Sequence, residues 1–177
     1  KKLEDNLTDV ILEAQLKLGY EGRSMSMNYP LQSLNRLLGT SEDGEGMKRL
    51  LDGFADFVQE RLGRVEYSRH DGDIFRLCVP EKGVEYIHGL SGSASSGFLA
   101  ELIAQVKQPG TTMEQVLEIF RRHSDRVHVE DSDSGEFDKL VYFEDGIPDD
   151  HFDCLTDEGI CVTYHRFTRE DYTDLGF

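Results

Sequence analysis

With 177 residues, 38% of them hydrophobic, the chain is long enough to bury a sizeable core, and it carries a net charge of −16. Much of that charge is local: residues 125–177 hold 16 Asp and Glu against Arg126, Lys139, Arg166 and Arg169. Such a field repels phosphate backbones and anionic lipid heads and disfavours that part of the chain as a DNA or membrane face. Phe98–Val106, the longest apolar stretch worth testing, is broken by Glu101 and Gln105 and is too short to cross a bilayer.

Elements can be read in chain order from the spacing of apolar residues. Leu3, Leu7, Val10, Ile11, Ala14 and Leu18 repeat at helical intervals and stop at Gly19. Ser24–Tyr29 alternates polar and apolar, as a strand does, and Pro30 opens a second helix through Leu31, Leu34, Leu37 and Leu38. Met47, Leu50, Leu51, Phe54, Phe57, Val58 and Leu62 form the most regular stripe, ended by Gly63. A hairpin then runs from Arg64–Ser68 through a turn at His70–Asp73 to Ile74–Val79, since Asp-Gly between alternating runs suits a turn that needs positive φ. Val84–Ile87 reads as a brief strand, and Gly89–Gly97, almost free of large side chains, as a linker or loop.

Beyond the linker the order recurs. Phe98, Leu99, Leu102, Ile103 and Val106 predict a helix stopped by Pro109-Gly110; Thr112 caps another through Met113, Val116, Leu117 and Phe120. Arg126–Val129 and Phe137–Phe143 flank an acidic turn, Glu130–Glu136, and Ile160–Phe167 is a final strand. The fold class expected is α+β, helices with short antiparallel hairpins. The element order resembles a winged-helix module, present in two copies, with a generic α+β meander as the competing arrangement. The expected domains are a helix-rich half at 1–90, a linker or loop at 89–97 and an acidic α+β half at 98–177; packing of both halves into one globular domain stays open.

Asp9–Tyr20, Tyr29–Asn35 and Leu62–Glu66 together resemble an uncharacterised family of small proteins from intestinal Gram-positive bacteria, a domain of unknown function. The likeness lies mainly in the N-terminal 90 residues, and its motifs are structural: a helix stop at Gly19, a helix start at Pro30 and a hairpin entry at Gly63. It implies a bacterial, cytoplasmic protein and supplies no activity and no site residue.

Each candidate site has a plainer reading. His151, Cys154, Cys161 and His165 have donor types that zinc accepts, but their cysteines stand too far apart for the usual tight knuckle; buried thiols beside surface histidines explain them better. Asp131, Asp133 and Glu136 suggest calcium, yet a loop starting at Asp131 puts Glu136 and Tyr142 where Gly and Glu belong, and one starting at Glu130 puts Val141 at the bidentate position; these acids, like the cluster Asp149, Asp150, His151 and Asp153, are expected to face water. Gly92–Gly97 lacks the nucleophile-elbow pattern, because Ser93 stands two places before Ser95, and His88 nearby does not make it a hydrolase. Lys48, Arg49, Arg61, Arg64, Arg69 and Arg76 would surround a DNA-reading helix and wing, but Glu60, Glu66, Asp71 and Asp73 interrupt them. Arg121, Arg122 and His123 suit a helix C-terminus.

The three cysteines, Cys78, Cys154 and Cys161, are an odd number that fits reduced thiols, and Lys1–Asp5 shows no signal-peptide apolar run, so a cytoplasmic location is expected. The Asn6-Leu7-Thr8 sequon is then a chance match. No catalytic, cofactor-binding or metal-binding residue is assigned, and no cofactor is expected. The leading expectation is a non-enzymatic protein-interaction module whose partner carries a basic patch. A winged-helix DNA-binding regulator comes second and a hydrolase-type enzyme third.

Overall fold

In the computed structural model the chain is α+β and forms two compact units, Lys1–Ser91 and Gly92–Phe177. The structure describes residues 1–92 and 94–174, with the side chains of residues 94–96 and 174 excepted.

Unit one runs α1 (Lys2–Leu18), β1 (Met25–Pro30), α2 (Leu31–Leu38), α3 (Gly44–Leu62), β2 (Glu66–His70), β3 (Ile74–Val79) and α4 (Glu81–Gly89). Its strands form an antiparallel sheet in the order β1-β3-β2. The helical stripes meet in one core: Leu3, Leu7 and Ile11 of α1, Leu34 of α2, Met47, Leu51, Val58 and Leu62 of α3, and Phe75, Leu77 and Val79 of β3. Each such side chain, taken fully from water, contributes about 1.5–3 kcal/mol of transfer free energy. Asp43 caps α3 by accepting from the Gly46 amide at 2.7 Å. In the β2–β3 turn the left-handed residues are Gly72 and Asp73, one place later than the Asp-Gly pair suggests, and the Asp73 carboxylate accepts from Arg69.

Residues 84–87 are helical and not a strand. Pro80 sits at the N-cap of α4, Glu81 suits the positive helix start, and Val84 and Ile87 are buried one turn apart. At Gly83 a Cβ would stand 2.4 Å from the Leu62 carbonyl oxygen, so glycine lets the first turn of α4 approach the end of α3. The tract read as a linker is also largely helical: a 3-10 turn spans Leu90–Gly92 and α5 begins at Ala94, with Ser93 outside the described residues. Small side chains do not forbid a helix when the turns beyond them carry Phe98, Leu99 and Leu102, all buried.

Unit two contains α5 (Ala94–Val106), α6 (Met113–His123), β4 (Val127–Asp131), β5 (Lys139–Phe143), β6 (His151–Asp157), β7 (Val162–Thr168) and α7 (Arg169–Asp174). Thr112 and Gln115 make a full capping box on α6. Helix, helix and hairpin occur in both units, but here the sheet is a sequential meander, β4-β5-β6-β7, and no strand lies between the two helices. The rings of Phe98, Phe120 and Phe143 pack with centroids 4.9–5.7 Å apart, joining α5 and α6 to one face of the sheet. Leu140, Phe152, Cys154 and Phe167 lie on the opposite face with Tyr172 of α7.

Candidate functional site

Two features concentrate polar chemistry. The first is a groove of about 620 Å³ in unit one, lined by Asp52, Ala55, Asp56 and Gln59 of α3 and by Arg64, Val65, Glu66 and Tyr67 at the start of β2. The α3 residues sit at i, i+3, i+4 and i+7, which puts them on one side of a helix. The Tyr67 hydroxyl lies 2.8 Å from Asp52 Oδ1 and 3.1 Å from the Lys48 carbonyl oxygen, tying β2 to α3. Desolvation and this bond to a carboxylate push the phenol up to about 12. The outward residues of α3 include Glu45, Asp52, Asp56 and Glu60, with Arg49, Leu50 and Phe57 among them.

The second feature is a cluster of buried charge in unit two. Asp153 on β6 pairs in register with Arg166 on β7, and both side chains turn to the face that carries Val141 and Phe143. Asp149, Asp153 and Arg166 have side chains 4%, 1% and 8% exposed. Arg166 Nη2 donates to Asp149 Oδ1 at 2.5 Å, its Nε is 3.3 Å from Asp153 Oδ1, and His151 Nδ1 is 2.9 Å from Asp149 Oδ1. Burial alone would raise the Asp149 carboxyl, but His151 and Arg166 outweigh it and hold the group well below the usual carboxylate range. On the opposite face of β6 the Cys154 thiol, desolvated by burial and raised further by the charge of neighbouring Asp153, is pushed up to about 12 and is a poor nucleophile.

The sequence candidates fare differently. His151 and Cys154 are three residues apart on β6 and so leave opposite faces; Cys154 pairs with His165 across the ladder, and Cys161 lies in the turn before β7. Among the described residues no group of three His, Cys, Asp or Glu side chains could hold a metal ion. Asp131, Asp133 and Glu136 stand exposed at the β4–β5 turn, which is closed by bonds of Ser132 to Ser134 and of the Ser132 amide to the Asp138 carbonyl. Ser93 and the side chains of Ala94–Ser96 lie outside the described residues, and His88 stacks on Tyr20 with ring centroids 3.9 Å apart. Of the basic set in unit one, Lys48 pairs with Glu45, Arg61 grips Glu4 through two bonds, and Arg69 pairs with Glu45 and Asp73. Arg121 pairs with Glu114 and Glu118, and Arg122 and His123 with Glu101.

Asp149 and Asp153, expected to face water, are instead buried, and their pairing with Arg166 was missed. One signal was available: a carboxylate at the centre of an otherwise apolar run, Phe152-Asp153-Cys154-Leu155, requires a cation opposite it.

A family described as a domain of unknown function from an E. rectale gene, DUF3877, has a model that matches residues 1–176. The chain belongs to DUF3877. The match extends the likeness seen in the first 90 residues across both units, so the groove and the buried cluster alike lie within the DUF3877 region. No curated protein and no solved structure matches the chain. No helix among the described residues is long and apolar enough to cross a membrane.

Proposed function

We propose that this DUF3877 chain is a protein-interaction module whose partner presents a basic surface. The observation that carries this reading is the imbalance of solvent-facing charge in unit two. Glu130, Asp131, Asp133, Glu136, Asp138, Glu144, Asp157 and Glu158 are exposed along the strands and turns, whereas Arg126, paired with Asp145, is the one exposed Lys or Arg among described residues 125–173. Lys139 and Arg169 are already engaged by Asp131 and Asp150. Such a surface steers cationic partners and loses its pull as salt rises. The test is crosslinking in producing cells followed by capture on the intact chain across a salt series. A partner with surface Lys and Arg should be held at about 50 mM salt and released by about 500 mM. Recovery of nothing at low salt would refute the proposal.

The second reading is a winged-helix DNA-binding regulator. It is favoured by the order of elements in unit one and by its β1-β3-β2 sheet, an arrangement in which α3 would read the groove and the β2–β3 hairpin would be the wing. The outward carboxylates of α3 weigh against it, since they would meet phosphates. Gel shifts of the full chain on duplex DNA at low salt decide between the two; no retardation there removes the second reading, because even non-specific binding appears under those conditions.

A further inference from the structure

Resting on the reading of the chain as a module for a basic protein, we propose that the docking site is the open edge of β2, where a partner segment joins the sheet of unit one as a fourth, extended strand with Lys or Arg at alternate positions. The sheet order leaves β2 at one end, with its outward amide and carbonyl groups unclaimed by any neighbouring strand among the described residues. Glu66–His70 holds no proline, and every residue but Tyr67 is exposed. The opposite edge is blunted, because β1 ends in Pro30. Strand addition takes its affinity from main-chain hydrogen bonds and its specificity from alternate side chains.

Charge sets the identity of the segment. The groove beside β2 is lined by Asp52 and Asp56 on the helix side, against Arg64; Tyr67 and Arg69 take the α3 face of β2, where Arg69 is already paired with Glu45 and Asp73, and Glu66 takes the other face. An added strand turns every second side chain the same way, about 6.6–6.8 Å apart. Asp52 and Asp56 are one helical turn apart, a rise of about 6 Å. Cations at i and i+2 of the incoming strand therefore match the carboxylates at i and i+4 of α3. A second copy of this chain is a poor occupant, since two bodies of net charge −16 repel.

The test uses the intact chain and a blocked nine-residue peptide alternating Lys and Thr, followed by amide resonances at low salt. Shifts are expected at Glu66–His70 and along 52–59. N-methylation of alternate peptide amides should weaken binding at least about tenfold, the loss of two or more strand hydrogen bonds. Asp56→Asn should weaken it several-fold and flatten its salt dependence. Equal binding of the N-methylated peptide, shifts confined to residues 125–173, or dimerisation of the chain through β2 in sedimentation would each overturn the edge site while leaving a basic-partner module standing. Absence of binding by any basic peptide at low salt would remove both.

Discussion

Two helical glycines in unit one give opposite expectations for the same substitution. Gly53 lies on the outer side of α3, where a Cβ meets nothing within 4 Å, and Gly83 lies in the first turn of α4, where a Cβ would stand 2.4 Å from the Leu62 carbonyl oxygen and 2.6 Å from Val79 Cγ1. Both alanines gain up to about 1 kcal/mol of helix propensity. At position 83 the clash involves backbone, which cannot rotate away, and overpacking of this kind costs about 3 kcal/mol at the upper end of its usual range. Gly83→Ala should therefore destabilise unit one by about 2 kcal/mol, and Gly53→Ala should stabilise it by roughly 0.5–1 kcal/mol. For a unit the length of Lys1–Ser91 these convert to a fall of about 8–16 °C and a rise of roughly 2–8 °C in the midpoint. Far-UV circular dichroism melts give the midpoints, with amide resonances of residues 1–91 assigning the transition to its unit. A Gly83→Ala protein melting at or above the parent would refute the steric account of α3 and α4.

Arg166→Leu should cost unit two about 3–5 kcal/mol in urea unfolding, because Asp149 and Asp153 would remain buried without their guanidinium; a loss below about 1 kcal/mol would show the pairing to be incidental. Asp149 has a folded pKa depressed below its ordinary 3.8, so its contribution is present above that pH and is lost as pH falls through the folded value. The stability difference between the parent and Asp149→Asn should accordingly persist down to about pH 4 and shrink below it in acid titrations of the urea midpoint. With a thiol reagent near pH 8, the half-buried Cys78 and Cys161 should react in the native state, and Cys154, raised to about 12 by burial and Asp153, should react on denaturation; fast modification of all three thiols would contradict the packing around β6. Thr112→Ala removes half of the capping box on α6 and should cost about 1 kcal/mol in the same assay, whereas Thr112→Ser should cost far less.

What the sequence revealed depended on whether the information was local. α1 and α3 were legible because a 3.6-residue apolar repeat is written into consecutive residues, and α6 because Thr112 and Gln115 satisfy each other across one turn. α4 was misread because Val84, Tyr86 and Ile87 carry β propensity, although Pro80 followed by Glu81 is a helix start. β6 escaped notice because only Phe152, Cys154 and Leu155 of its seven residues are apolar, and the burial of Asp153 makes sense only once Arg166 stands across from it. The β2–β3 hairpin was legible from its turn, but the pairing of β1 with the other side of β3, which leaves β2 as an exposed edge, joins residues far apart in the chain that no periodicity records. The carboxylates of α3 were visible as charges. Their placement beside a sheet edge was not.

The pairing of Asp153 with Arg166 has a consequence for how the meander chooses its alignment. If β7 slid by one residue along β6, the guanidinium would swing to the side occupied by Phe152, Cys154 and Tyr172, and both carboxylates would be left stranded in the apolar interior. Misaligned ladders of this kind are penalised by several kcal/mol. The ionic knot thereby acts as a key that admits one strand alignment. Replacing Asp149, Asp153 and Arg166 together with apolar residues of like size should leave a folded unit two whose β6–β7 amides exchange faster and report more than one alignment.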